Sequence, residues 1–218
     1  MRLVYINPNS TASMTAGIEQ VARQAMPAAE ITALTNADGP PAIEGPEDGD
    51  AAVPGVLRLV RGVQGADAIV IACFDDTGLA ETQAAASCPV LGIGQSSYLM
   101  ALMLGRRFSV VTSLPVSIPV IEGNIAAMGF AGACASVRAS GLPVLEIDEG
   151  SPATRATLAT EICRARDEDG AGAVILGCAG MAPLQGDLQA RTGVQLIDGV
   201  SAAAWLAQAA AGYVALAS

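Results

Sequence analysis

Shifted by 105 residues, the chain lies over itself without a gap at its landmarks. Arg2-Leu3 falls on Arg107-Phe108, the run ending at Asn7 on the run ending at Thr112, and ADAIVIAC (66–73) on AGAVILGC (171–178). Gly94 and Ser96 fall on Gly199 and Ser201. One constant offset serving separate elements argues for an internal duplication rather than for chance matches between Ala- and Val-rich units. Each copy alternates strand-like runs with Ala-rich helical stretches: LVYIN, EITAL, DAIVIAC and VLGIG, then FSVVT, CASVRA, GAVILGC and VQLID. That alternation predicts an α/β fold with mostly parallel sheets flanked by helices, and ligands bound beyond the carboxyl ends of the strands. Two pseudo-symmetric domains are expected, 1–96 plus 200–218 and 97–199, with a shared cleft between them. The connection at 36–55, rich in Gly, Pro and acids, reads as an excursion able to cover that cleft.

The duplication gives Cys73 and Cys178 the same position in the two copies, each closing a hydrophobic strand. A lone strand cysteine is ordinarily a small apolar filler. A filler has no reason to recur at the repeat offset, and two thiols so placed approach one ligand from opposite sides. A strand end followed by a turn and a helix start offers backbone N–H groups and a positive dipole end, an environment expected to favour thiolate. One thiolate and one thiol then supply a base and an acid on opposite faces of a carbon that carries an acidic proton beside a carbonyl. The other cysteines, Cys88, Cys134 and Cys163, read as packing residues, and an odd set of five in a chain of this size reads as free thiols.

Absences narrow the chemistry further. The sequence has no His and no Lys, so all eleven positive side chains are Arg. Ser-His-Asp or Cys-His catalysis, an HExxH metal site, a lysine Schiff base and a P-loop lysine are therefore excluded. No C-x-x-C occurs, so neither a metal nor any other cofactor is expected. A formal charge of −10 argues against nucleic acid and anionic membrane as partners. The N-terminus turns polar after six residues, too soon for a secretory signal, and the most apolar later stretches are too short or too dilute to span a bilayer. The expected protein is cytoplasmic, and its partner is a small-molecule substrate. The Ala-rich segment from Ser201 can pack against a second copy as readily as against the core, so a homo-oligomer is expected.

The segments INPNST (6–11), CFDDTG (73–78), GRRFSVVTSLP (105–115), VILGCAGM (174–181) and IDGV (197–200) together resemble the aspartate/glutamate racemase superfamily, in particular its hydantoin and allantoin racemase branch. The resemblance covers essentially the whole chain. It implies two flavodoxin-like domains and cofactor-independent racemisation with Cys73 and Cys178 as the two bases. It also implies substrate contacts from Asn9, Ser10, Phe74, Asp75, Thr112, Ser113, Gly177 and Ala179, with Asn, Ser and Thr after strands also serving as ordinary helix caps. Asp76 matches an acidic position of the family loop, whereas Asp75 and Thr77 stand where that loop has Gly and Pro. Phe74 and Ala179 follow the cysteines where amino-acid racemases of the superfamily carry hydroxyl residues. The cleft is therefore expected to suit a 5-substituted hydantoin better than a free amino acid. The rivals are a maleate isomerase or an arylmalonate decarboxylase on the same scaffold, or a small-ligand binding module. GIGQSS (92–97) is a poor phosphate loop.

Overall fold

The computed structural model of the chain describes residues 1–216, so the last two residues of the first expected domain, 217–218, lie outside the described residues. Eight strands are described: β1 (Arg2–Asn7), β2 (Glu30–Thr35), β3 (Ala68–Ile71), β4 (Val90–Gly92), β5 (Phe108–Thr112), β6 (Cys134–Ala139), β7 (Ala173–Gly177) and β8 (Leu196–Asp198). They form two all-parallel sheets of the same order, β2-β1-β3-β4 and β6-β5-β7-β8. The inner strands β3, β5 and β7 are buried along their whole length, as continuous apolar runs covered on both faces must be. The edge strand β6 is only half-buried and carries the polar and charged positions Ser136 and Arg138.

Pairing registers carry the duplication into three dimensions. Leu3 pairs with Ala68, and Phe108 with Ala173, each partner 105 residues from its counterpart. The offset slips by one at the last strand, because Ile69 pairs with Val90 but Val174 with Leu196. Gly92 therefore corresponds to Asp198, and the sequence match of Gly94 with Gly199 is displaced by one residue.

The helices interlock the halves. α4 (Ile93–Met103) leaves the first sheet and packs on β7 and β8, whereas α9 (Gly199–Ala215) leaves the second and packs on β3, β4 and α1 (Ala12–Ala25). No charged residue occurs in α9, and its buried face is Val200, Ala202, Ala203, Ala204 and Ala207. Small side chains let it approach α4 closely: a Cβ on Gly199 would stand 2.4 Å from the Ile93 carbonyl oxygen. One buried cluster consequently runs from Leu3, Val70 and Leu91 to Val174, Leu176 and Ala203.

The excursion at 36–55 is loop only in its first half. From Pro46 the chain is helix α2 (Pro46–Gly62), with Pro at its start and Glu47 and Asp48 in its first turn, where acids meet the positive dipole end. The Gly and Pro content that reads as a turn thus marks a helix start, and Pro54 sits inside the helix. The remaining loop crosses to the second half, where Glu44 Oε1 accepts the Val144 N–H at 2.7 Å.

Candidate active site

Both sheets point the carboxyl ends of their strands at one cavity. Cys73 and Cys178 line it together with Ala72, Gly177 and Ala179 from the same two strand ends. Each cysteine opens the same turn. The Cys73 carbonyl accepts the Asp76 N–H, and the Cys178 carbonyl accepts the Met181 N–H, both at 3.0 Å. The repeat therefore reproduces the backbone that aims the sulfur as well as the residue.

Of the remaining residues expected to touch substrate, Asn9, Phe74, Asp75, Thr112 and Ser113 line the cavity. Ser10 is not among the lining residues; its N–H donates to the Pro40 carbonyl and so fixes the loop behind the site. Two of the lining side chains are already engaged. Thr112 Oγ1 donates to the Gly177 carbonyl at 2.9 Å, tying β5 to β7. Asn9 Oδ1 accepts from Asn7 Nδ2 and from the Thr11 N–H. The Phe74 ring turns into the core, edge-on to Tyr98 at 5.8 Å. Ser113 and Ser117 line the cavity, and neither hydroxyl makes a hydrogen bond among the described residues. Sequence reasoning missed Ser117, Met14, Ile43 and Val144, all of which line the cavity. They come from helix starts and from the 36–45 loop, which no strand-end rule reaches.

Asp76 has a structural task. It adopts a left-handed conformation at φ 53° and turns its carboxylate onto the start of α4, where Oδ1 accepts the Gly94 N–H at 2.9 Å and Oδ2 the Gln95 N–H at 2.7 Å. In the second half Asp198, the cap residue of α9, accepts the Ser201 N–H from within its own helix start. The corresponding cap position of α4 is Gly92, so the carboxylate is supplied from the Cys73 loop instead. A Cβ at Gly92 would stand 1.9 Å from Asp76 Oδ1, which is why that position has none.

The electrostatics depart from the expectation of a lowered thiol pKa. Burial pushes both thiols up, Cys178 to about 12 and Cys73 further. The Asp75 carboxyl adds to the rise at both, and Asp148 and Glu44 add to it at Cys178. Opposing it, the Gly180 N–H favours the Cys178 thiolate, and the Asp75 N–H with the otherwise unpartnered Thr77 hydroxyl favours that of Cys73. Desolvation outweighs these donors. Burial also raises Asp75 to about 7. No Arg lines the cavity, and neither Asp75 nor Asp76 forms an ion pair among the described residues. The described residues hold no group of three or more Cys, Asp or Glu placed to bind a metal ion, and no helix among them is long and apolar enough to cross a membrane.

Comparison with known proteins places this arrangement. Residues 3–207 match the model of the Asp/Glu/hydantoin racemase family. A hydantoin racemase from Rhizobium meliloti is 45% identical over 215 residues, spanning 97% of this chain and 89% of the relative. Among solved structures, an allantoin racemase from Klebsiella pneumoniae superposes with a TM-score of 0.93 at 39% identity, covering 100% of this chain and 89% of that one. The allantoin racemase of Pseudomonas fluorescens gives the same TM-score at 36% identity, covering 100% and 92%. With two repeated sheets, their paired strand-end cysteines and these full-length likenesses in hand, the chain belongs to the Asp/Glu/hydantoin racemase family.

Proposed function

We propose that the chain racemises 5-substituted hydantoins, or a related ring such as allantoin, by proton transfer between Cys73 and Cys178 without a cofactor. The observation that carries this reading is the meeting of two repeat-related cysteines in one cavity that no cation lines. One sulfur, as thiolate, takes the proton from ring C5, and the electron pair moves onto the neighbouring carbonyl oxygen. The other sulfur, as thiol, returns a proton from the opposite face, and configuration inverts. The free hydroxyls of Ser113 and Ser117 are donors available to the oxygen on which charge develops.

The missing cation separates the readings. Maleate and arylmalonates bring carboxylates, for which this cavity offers no cation and whose charge here would meet that of Asp75. A hydantoin ring is neutral, and its C5 proton is more acidic than the α-proton of a free amino acid. Incubating each enantiomer of a 5-substituted hydantoin in deuterated water is expected to give loss of optical rotation with deuterium at C5. Because the base is a thiolate with a raised pKa, the thiolate fraction, and with it the rate, rises with pH, by up to about tenfold per unit between roughly pH 7 and 9. Turnover of maleate or an arylmalonate with no action on hydantoins refutes the reading, and a rate flat across that range refutes the raised thiol pKa.

A cytoplasmic homo-oligomer belongs to the same proposal. Its support is a shallow groove lined by Leu104 and Trp205, the latter 53% exposed, where α4 meets α9. Sedimentation velocity is expected to show a species larger than 21.8 kDa; a monomer at assay concentration removes the assembly from the proposal.

A further inference from the structure

The loop that carries Cys73 holds an unusual group. Asp75 lines the same cavity as Cys73 and Cys178, the space in which the ring and its 5-substituent must lie, and its charge raises both thiols. The loop cannot easily withdraw it: the Asp75 carbonyl accepts Asn124 Nδ2 of α5 (Ile118–Ala127) at 2.9 Å, and the left-handed Asp76 follows. The carboxyl itself makes no hydrogen bond or ion pair among the described residues. A carboxylate on a half-buried cavity wall without donor or counter-charge is costly once a ligand shuts water out, and proteins ordinarily supply one or the other. Here the surroundings supply neither. The titratable neighbours are Cys73, Cys178, Asp76 and Tyr98, none of which is ever positive. On the Cys178 side, Glu44 and Asp148 add negative charge, their carboxylates held by the Val144 N–H and the Ser13 hydroxyl but not by an Arg.

Resting on the hydantoin reading above, we propose that Asp75 is a specificity-determining residue that selects hydantoins whose 5-substituent ends in a cationic nitrogen group. Such an arm brings the counter-charge and the N–H donors that the protein withholds. It also offsets the repulsion between the Asp75 carboxylate and the thiolate that must form beside it. Burial holds the empty site's Asp75 up at about 7, and a bound cation draws it back toward the ionised form. The charge of Asp75 weighs on the thiolates whichever substrate is bound, so its selectivity is read from the ratio between two arms and not from the rate with one.

The test compares two probes of equal arm length, 5-aminobutylhydantoin and 5-butylhydantoin, by kcat/KM for racemisation with the wild-type protein, D75N and D75G. The wild type is expected to favour the aminobutyl probe by about tenfold or more, as a close charge pair in a desolvated site does. D75N, nearly isosteric and with the backbone bond to Asn124 untouched, is expected to bring the ratio of the two kcat/KM values close to one, whatever it does to the rate common to both probes. D75G should do the same. Equal rates for the two probes with wild type, or equal losses for both in D75N, overturn the inference while the hydantoin reading stands. No racemisation of either probe by wild type removes that reading and takes the inference with it.

Discussion

Replacing Cys73 or Cys178 by Ser is expected to lower racemisation by at least about 10³-fold while leaving the fold intact. A serine hydroxyl occupies nearly the same space, so each variant should stay within about 1 kcal/mol of wild-type stability. It is far too weak an acid to ionise where even the thiols are pushed up by desolvation. The two variants should nevertheless differ in a diagnostic way. With Cys73→Ser, the Cys178 sulfur still reaches the face it addresses, and it exchanges the C5 proton of one hydantoin enantiomer with deuterated solvent without inverting it. Cys178→Ser should exchange the opposite enantiomer. This complementarity separates two bases of equal standing from a single catalytic cysteine with a structural partner. Exchange of the same enantiomer by both variants, or wild-type racemisation by either, rules out the two-base assignment.

The pairing of Cys73 with Cys178 was legible because it rests on local information repeated: a strand end read twice at one offset, in a chain without His or Lys. Strand content was legible for the same reason, since parallel inner strands such as AIVI and AVILG are continuous apolar runs. The thiols' electrostatics are not legible in this way. The turn donors were anticipated and are present at Asp75 and Gly180, but the opposing desolvation depends on the other sheet, the 36–45 loop and α6 (Val144–Glu149), which no local window contains. The start of α2 was hidden by chemistry that serves two purposes, because a Pro followed by acids suits a loop and a helix N-terminus alike. Asp76 was unreadable for a third reason. Its acceptor role joins it to Gly94 and Gln95, 18 and 19 residues away, and the sequence shows only an acid after a cysteine and a glycine after a strand.

That last junction carries the second large effect. A Cβ at Gly94 would stand 2.3 Å from the Phe74 carbonyl oxygen and 2.9 Å from Asp76 Oδ2, distances at which something must move. Neither neighbour is a free side-chain end: the first is the backbone immediately after Cys73, the second the carboxylate that caps α4. Gly94→Ala must therefore shift α4 away from the loop, weakening the two hydrogen bonds to Asp76, or push the Cys73 turn toward the cavity. Overpacking of this kind costs about 2–3 kcal/mol, which for a chain of this size lowers Tm by roughly 5–10 °C. Activity should fall further than stability alone accounts for, by about 10²-fold at temperatures where the variant is fully folded, because an ångström of misplacement at the sulfur spoils alignment with C5. Gly123→Ala on the exposed face of α5, where an added Cβ meets nothing within 4 Å, is the control, expected to be neutral or slightly stabilising because Ala is the better helix former. Thermal unfolding with racemisation rates on the same samples decides the matter: a Gly94→Ala protein with the Tm and rate of the Gly123→Ala control would show that the α4 start does not position Cys73.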